Sequence, residues 1–189
     1  MSSFLLSFVV IFVAELGDKS QLLALAFATR YRFWTVLAGI TAATAVVHLL
    51  SVLLGTALGL NLPGSLINVV AGAAFVGFAV WTLRGDRLTE DERARAARAG
   101  GSAVLAVFGA FFVAELGDKT MLATITLATT EGWFGTWLGS TAGMVAADAL
   151  AIGVGVLLGR AMPERIVRIG AALLFLGFGV LLIWEGLAG

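Results

Sequence analysis

FVAELGDK occupies residues 12–19, and the same eight residues in the same order return at 112–119. Eight consecutive identities exceed what a chain rich in Ala, Leu and Gly yields by composition, so the offset of 100 marks an internal duplication. Outward from the motif the offset holds. It pairs Gly39 with Gly139, Thr41 and Ala42 with Thr141 and Ala142, Gly55 with Gly155, Gly59 with Gly159, Pro63 with Pro163, and Phe75, Gly77 and Phe78 with Phe175, Gly177 and Phe178. Each half of the chain is read as one copy of the same unit.

The motif lies inside long apolar stretches, which run over 4–29, 35–60, 66–83, 103–130, 133–159 and 166–183. Each has the length a helix needs to cross hydrocarbon, about 17–25 residues. Of the 189 residues 60% are hydrophobic and 13% charged. A soluble domain carries roughly 25% charged residues, so that class is excluded. The apolar positions are consecutive rather than alternating, which excludes an outer-membrane barrel. The first run has no basic residue ahead of it and outlasts a signal-peptide core, so it reads as a retained helix. The expected fold is an all-α membrane protein of six transmembrane helices: a first three-helix repeat over 1–83, a charged cytoplasmic linker over 84–101 and a second repeat over 102–189. Three is odd, so the second copy must enter the membrane from the opposite side. That makes an inverted-topology repeat, whose sites lie near the midplane at the repeat interface.

The arginines orient this bundle. All ten fall after helix 1 (Arg30, Arg32), after helix 3 (Arg84, Arg87, Arg93, Arg95, Arg98) or around the link from helix 5 to helix 6 (Arg160, Arg165, Arg168). Alternate loops face one side, so the positive-inside rule makes these loops cytoplasmic and puts both termini outside. Trp34, Trp81, Trp133 and Trp184 fall near helix ends, where interfacial anchors belong. The 84–101 stretch mixes both signs and reads as a solvated link between the halves, with a regulatory role as the alternative.

Ionisable residues at bilayer depth are costly and functional by default. Glu15 and Asp18, three apart, would project from one helix face, and Glu115 with Asp118 repeats them. Gly17 and Gly117 permit a local break or a close helix approach, either of which could turn backbone carbonyls to the same cavity. Ser20, Thr120 and Gln21 offer neutral oxygens nearby. With no cysteine in the chain, an oxygen-rich cluster suits a hard divalent cation, Ca²⁺, Mn²⁺ or Mg²⁺. Lys19 and Lys119 follow the glutamates by four residues, so an i,i+4 pair that neutralises part of the cluster is expected, with a part in proton coupling as the alternative. The offset maps His48 onto Asp148, one titratable group on helix 2 and one on helix 5, each a candidate for ligation or proton transfer, with a simple hydrogen bond to a backbone carbonyl as the alternative for His48. It also maps Gln21 onto Met121 and Thr44 onto Met144; methionines at apolar helix positions ordinarily serve packing, and in the alternative a thioether or imidazole near the acids would favour Mn²⁺ over Ca²⁺. Glu15, Asp18, Glu115, Asp118 and Asp148 against the two lysines leave a net charge of −3. Such a total needs protons or a cation, and their competition for the same oxygens is the minimum requirement of a proton-coupled antiporter.

The doubled E-L-G-D-K-S/T motif, one per three-helix repeat, resembles that of the GDT1 (UPF0016) family of membrane proteins, and the resemblance extends over essentially the whole chain. It implies a six-helix exchanger that moves Mn²⁺ or Ca²⁺ out of the cytoplasm against H⁺. The motif acids Glu15, Asp18, Glu115 and Asp118 would hold the metal, with Lys19, Ser20, Lys119 and Thr120 completing the motifs. Without the leader and longer loops of eukaryotic members, the chain is expected in a bacterial inner (plasma) membrane. No permanently bound cofactor is implied, only the transported cation and H⁺; the bilayer is the expected partner, and association with a second copy is left open. Twelve basic against twelve acidic residues argue against nucleic acid. A hydrolase would want an asymmetric acid and base, which a symmetric duplication does not supply. An exporter of a small organic solute would want a larger, chemically varied pocket. A passive divalent-cation channel differs from the antiporter only in ignoring a pH gradient.

Overall fold

The structure, a computed structural model, describes residues 2–84, 102–158 and 164–188. The charged linker and the repeat partners Gly159 and Pro163, with Arg160, lie outside the described residues apart from Arg84. Among the described residues every regular element is a helix: α1 (Ser3–Glu15), α2 (Lys19–Ala28), α3 (Phe33–Asn61), α4 (Gly64–Arg84), α5 (Ala103–Glu115), α6 (Lys119–Thr130), α7 (Trp133–Leu158) and α8 (Glu164–Ala188). Helix starts at 3, 19, 33 and 64 return at 103, 119, 133 and 164, so the duplication read from the motif extends to every element.

The described residues form eight helices where six continuous spans were expected, and the cause of the difference is local. The expected first and fourth helices are each interrupted inside the motif. Leu16 leaves helical geometry with ψ 122°, Gly17 takes φ +76°, and Asp18 restarts the chain as the residue capping α2. Leu116, Gly117 (φ +78°) and Asp118 repeat the turn. A left-handed residue costs roughly 1–2 kcal/mol with a side chain and little as glycine, so this is where the helix breaks. The freed groups are satisfied on the spot. Asp18 N–H donates to the Glu15 carbonyl (3.1 Å), and Gly17 N–H donates to Gln21 Oε1 (2.8 Å). In the second copy Gly117 N–H reaches Met121 Sδ (3.2 Å).

Four helical stretches are long and apolar enough to cross a membrane, Phe33–Asn61, Gly64–Arg84, Trp133–Gly155 and Ile169–Ala188; α1 and α5 are shorter apolar helices. The distribution of polarity is inverted relative to a soluble protein. Leu60, Val70, Leu173, Val180 and Leu187 are exposed, as are Trp34, Trp133 and Trp184. Glu15, Asp18, Glu115, Asp118, Lys119, His48 and Asp148 are buried. Apolar surface of this extent is stable against lipid, not water. The chain is a multi-pass membrane protein.

Backbones approach closely where glycines permit. On α4 and α8, a Cβ added at Gly72 would stand 2.5 Å from the Gly179 carbonyl oxygen, and one at Gly179 would stand 2.7 Å from that of Gly72. Phe75 and Phe78 mesh there with Phe175 and Phe178, and the Phe75 and Phe175 ring centroids are 5.8 Å apart. Phe75 and Phe175 are repeat counterparts, as are Thr44 and Met144, whose hydroxyl and sulfur are 3.3 Å apart. A residue can meet its own counterpart only at the axis relating two copies, so these contacts mark a pseudo-two-fold axis through the centre of the molecule. The α1 residues Val10, Ile11 and Ala14 pack on the phenylalanine cluster around that axis.

Candidate functional site

Each motif is brought to the interface between the copies by the helix that contains it. Because the turn ends α1 at Glu15 and starts α2 at Lys19, the two motif acids lie on opposite sides of a break. The expectation of one shared helix face is thereby corrected, and so is the i,i+4 pairing of Glu15 with Lys19, which a continuous helix would have required. The ion pairs run between the copies instead: Lys119 Nζ meets Asp18 Oδ1, and Lys19 Nζ meets Asp118 Oδ1 at 3.5 Å. Reciprocal pairing of this kind is what a two-fold relation produces, residue i meeting j and j meeting i. Asp18 and Asp118 stand at the helix-capping positions of α2 and α6, yet neither carboxylate caps its own helix.

The two glutamates flank these pairs. Glu15 is fully buried, and neither carboxylate oxygen has a hydrogen-bond partner. Glu115 accepts from the Thr120 hydroxyl (2.9 Å) on one oxygen and has none on the other. Glu15 lies within electrostatic range of Glu115, Asp18 and Asp148, and Glu115 within range of Asp118, Asp18 and Asp148. Asp148, fully buried on α7 with both oxygens unpartnered, therefore belongs with the motif acids. This is a collection of negative charge with little internal compensation beyond the lysines, an arrangement whose stable states are protonated or cation-bearing. Among the described residues no three His, Asp or Glu side chains converge as a finished metal cage.

The other expected ligands divide. Ser20 is buried with its hydroxyl unpartnered. Gln21 holds the break together: its oxygen accepts from Gly17, and its amide donates to the Ala147 carbonyl (3.1 Å), next to Asp148. Met121 has the same stapling task in the second copy, and the Met144 sulfur accepts from Thr44. The sulfurs proposed as soft ligands thus have structural partners. His48 is fully buried, with neither ring nitrogen hydrogen-bonded.

Two features lay outside the sequence reading. The crosswise lysine pairs could have been suspected from the identity of the motifs once a two-fold axis was assumed. The tie of Ser3 to Glu131 could not. Ser3 Oγ donates to Glu131 Oε2 (2.8 Å) and accepts from Gly132 N–H (3.3 Å), joining the start of α1 to the turn before α7. The repeat positions are Ala103 and Tyr31, which cannot form it, so no symmetry signal pointed there.

The sequence profile of the divalent cation/proton antiporter GDT1 family matches residues 3–90 and 103–189. A Vibrio cholerae protein named "Putative manganese exporter" is 35% identical over 93% of this chain and 88% of its own length. The GDT1-like protein sll0615 of Synechocystis is 32% identical over the full length of both. GDT1-like protein 5 of Arabidopsis thaliana is 28% identical over 95% of this chain and 94% of its own. No solved structure matches the chain. With both halves matched and the doubled acidic motif at their interface, this chain belongs to the GDT1 family of divalent cation/proton antiporters, a family of transporters rather than enzymes.

Proposed function

We propose that the chain exports Mn²⁺, with Ca²⁺ as a second substrate, from the cytoplasm in exchange for H⁺, at a site near the membrane midplane formed by Glu15, Asp18, Glu115 and Asp118. The observation that carries this reading is the crosswise meeting of the two motifs, which gathers buried carboxylates from both copies around one axis. On this reading 1–83 and 102–189 are two inverted three-helix repeats, with α1–α2 and α5–α6 each crossing as one interrupted span. Broken helices at a repeat interface are the usual setting of an ion site in such transporters. Sorting of the arginines to alternate loops supports a topology with both termini outside and the 84–101 linker in the cytoplasm. Mn²⁺ as the favoured ion is supported by the name of the Vibrio relative. The membrane in question is a bacterial plasma membrane, as that relative's source suggests.

The test is Mn²⁺ flux in proteoliposomes with an imposed pH gradient. Glu15→Gln, Asp18→Asn, Glu115→Gln and Asp118→Asn are each expected to lower flux by about 100-fold or more while the protein still inserts, because each leaves a desolvated divalent ion short of one charge. Wild-type flux in two of the four would remove the shared site. Flux indifferent to the gradient would make the protein a channel.

A further inference from the structure

The chain contains ten arginines and two lysines, and both lysines stand in the duplicated motif. Each is the first residue of a helix, α2 or α6, where the positive end of the helix dipole disfavours a cation. Each pairs with an aspartate that occupies a capping position but makes no cap hydrogen bond to its own helix, forgoing a local stabilisation. Local preferences therefore oppose both partners, and the pairs exist because of where the fold brings them. An arginine would grip a carboxylate with a bidentate fork; a lysine offers a compact single charge on a flexible four-carbon stem, which is far easier to dislodge. The Lys119 side chain is 5% exposed and that of Lys19 is 18% exposed, so the first is the more committed of the two.

We propose that Lys19 and Lys119 are tethered stand-ins for the transported cation: each neutralises the aspartate of the opposite copy until a divalent ion displaces it. The inference rests on the cation site argued above and assigns the lysines a selective role in it. A monovalent ion brings no more charge than the ammonium it must displace, and it arrives at an entropic disadvantage against a tethered group. A divalent ion brings twice the charge and can bridge both aspartates. The lysines thus set a threshold that Mn²⁺ clears and Na⁺ does not. Because the pairs join α2 to Asp118 and α6 to Asp18, loading also exchanges two ties between the copies for one shared ion. Occupancy is thereby linked to the relative placement of the halves.

The experiment is Mn²⁺ binding to the purified full-length protein in detergent, followed by the electron paramagnetic resonance of free Mn²⁺ at constant ionic strength and alkaline pH. Lys119→Gln is expected to bind Mn²⁺ about tenfold more tightly than wild type, equivalent to about 1.4 kcal/mol, and Lys19→Gln to shift in the same direction by less. Lys119→Arg, with a firmer grip on Asp18, is expected to bind more weakly. Replacing choline by Na⁺ should leave the wild-type affinity unchanged and weaken that of the glutamine variants. A purely structural lysine would lose affinity on either substitution, so equal or weaker binding by both glutamine variants overturns the proposal while wild-type binding stands. Should Lys119→Gln fail to fold, the more exposed Lys19→Gln decides in the same way. Absence of Mn²⁺ binding in wild type and variants alike would remove the cation site itself, and this inference with it.

Discussion

At the scale of single residues, what distinguishes this protein is buried charge left uncompensated by neighbours. Glu15 and Asp148 have no hydrogen-bond partner on either oxygen, and Glu115 has one partner on one. Carboxylates in this position attract cations, so at the proposed site H⁺ and the divalent ion would be competitors. Protonation removes the attraction that loads the metal. The sign follows: acidifying the cytoplasmic face should slow export, and acidifying the outer face should speed it by driving release. Measured in vesicles, export is expected to fall steadily as cytoplasmic pH drops from about 8 to about 6, the direction set by carboxylate protonation. A rate that rises on cytoplasmic acidification would contradict competition at these acids.

At the scale of elements, the helices are assembled by close backbone approach rather than by large side chains alone. The α4–α8 pair depends on Gly72 and Gly179, whose added Cβ atoms would run into each other's carbonyl oxygens at 2.5 and 2.7 Å. Gly77, one and a half turns along the same helix, has nothing within 4 Å of such a Cβ. Gly72→Ala should therefore cost about 1–3 kcal/mol by forcing the helices apart. Gly77→Ala should be neutral or slightly stabilising, since alanine is the better helix former. Thermal unfolding of both variants in detergent checks the contrast; equal shifts would mean that the approach at Gly72 is not what holds the pair.

At the scale of the whole molecule, the pseudo-two-fold axis organises everything else. It passes where Thr44 meets Met144 and Phe75 meets Phe175, and it generates the reciprocal lysine pairs. The chain has no native cysteine, which makes a direct test simple. Thr44→Cys combined with Met144→Cys should form an intramolecular disulfide on mild oxidation, read as loss of maleimide labelling after denaturation in SDS, since both positions are buried in the fold. Either cysteine alone should remain fully labelled. Persistent labelling of the double variant would displace the axis. The orientation of that axis in the bilayer is a separate matter, tested by a reporter fused after Gly189. It should be inactive if it requires the cytoplasm, because on the proposed topology the positive-inside rule puts the side where all ten arginines cluster, in or beside the links after α2, α4 and α7, in the cytoplasm.

Amino-acid order alone determined the membrane class and the duplication with its offset of 100, and it singled out the acids and lysines of the candidate site, because apolar run length, exact repetition and intramembrane charge are one-dimensional properties. Even the break was foreshadowed by Gly17 and Gly117, although permission to bend is not an instruction to do so. Whether a glycine inside an apolar run adopts a left-handed turn depends on what satisfies the freed amide. Here Gln21 and Met121 do so from the next helix. Partner choice was decided by the tertiary structure. Along the chain Lys19 is four residues from Glu15, but the break removes that geometry and the axis brings Asp118 to it instead. Likewise the sulfurs of Met121 and Met144 are claimed by Gly117 and Thr44, contacts that only the folding of the chain creates. A pairing between copies is a relation in space, and spacing along one copy contains no record of it.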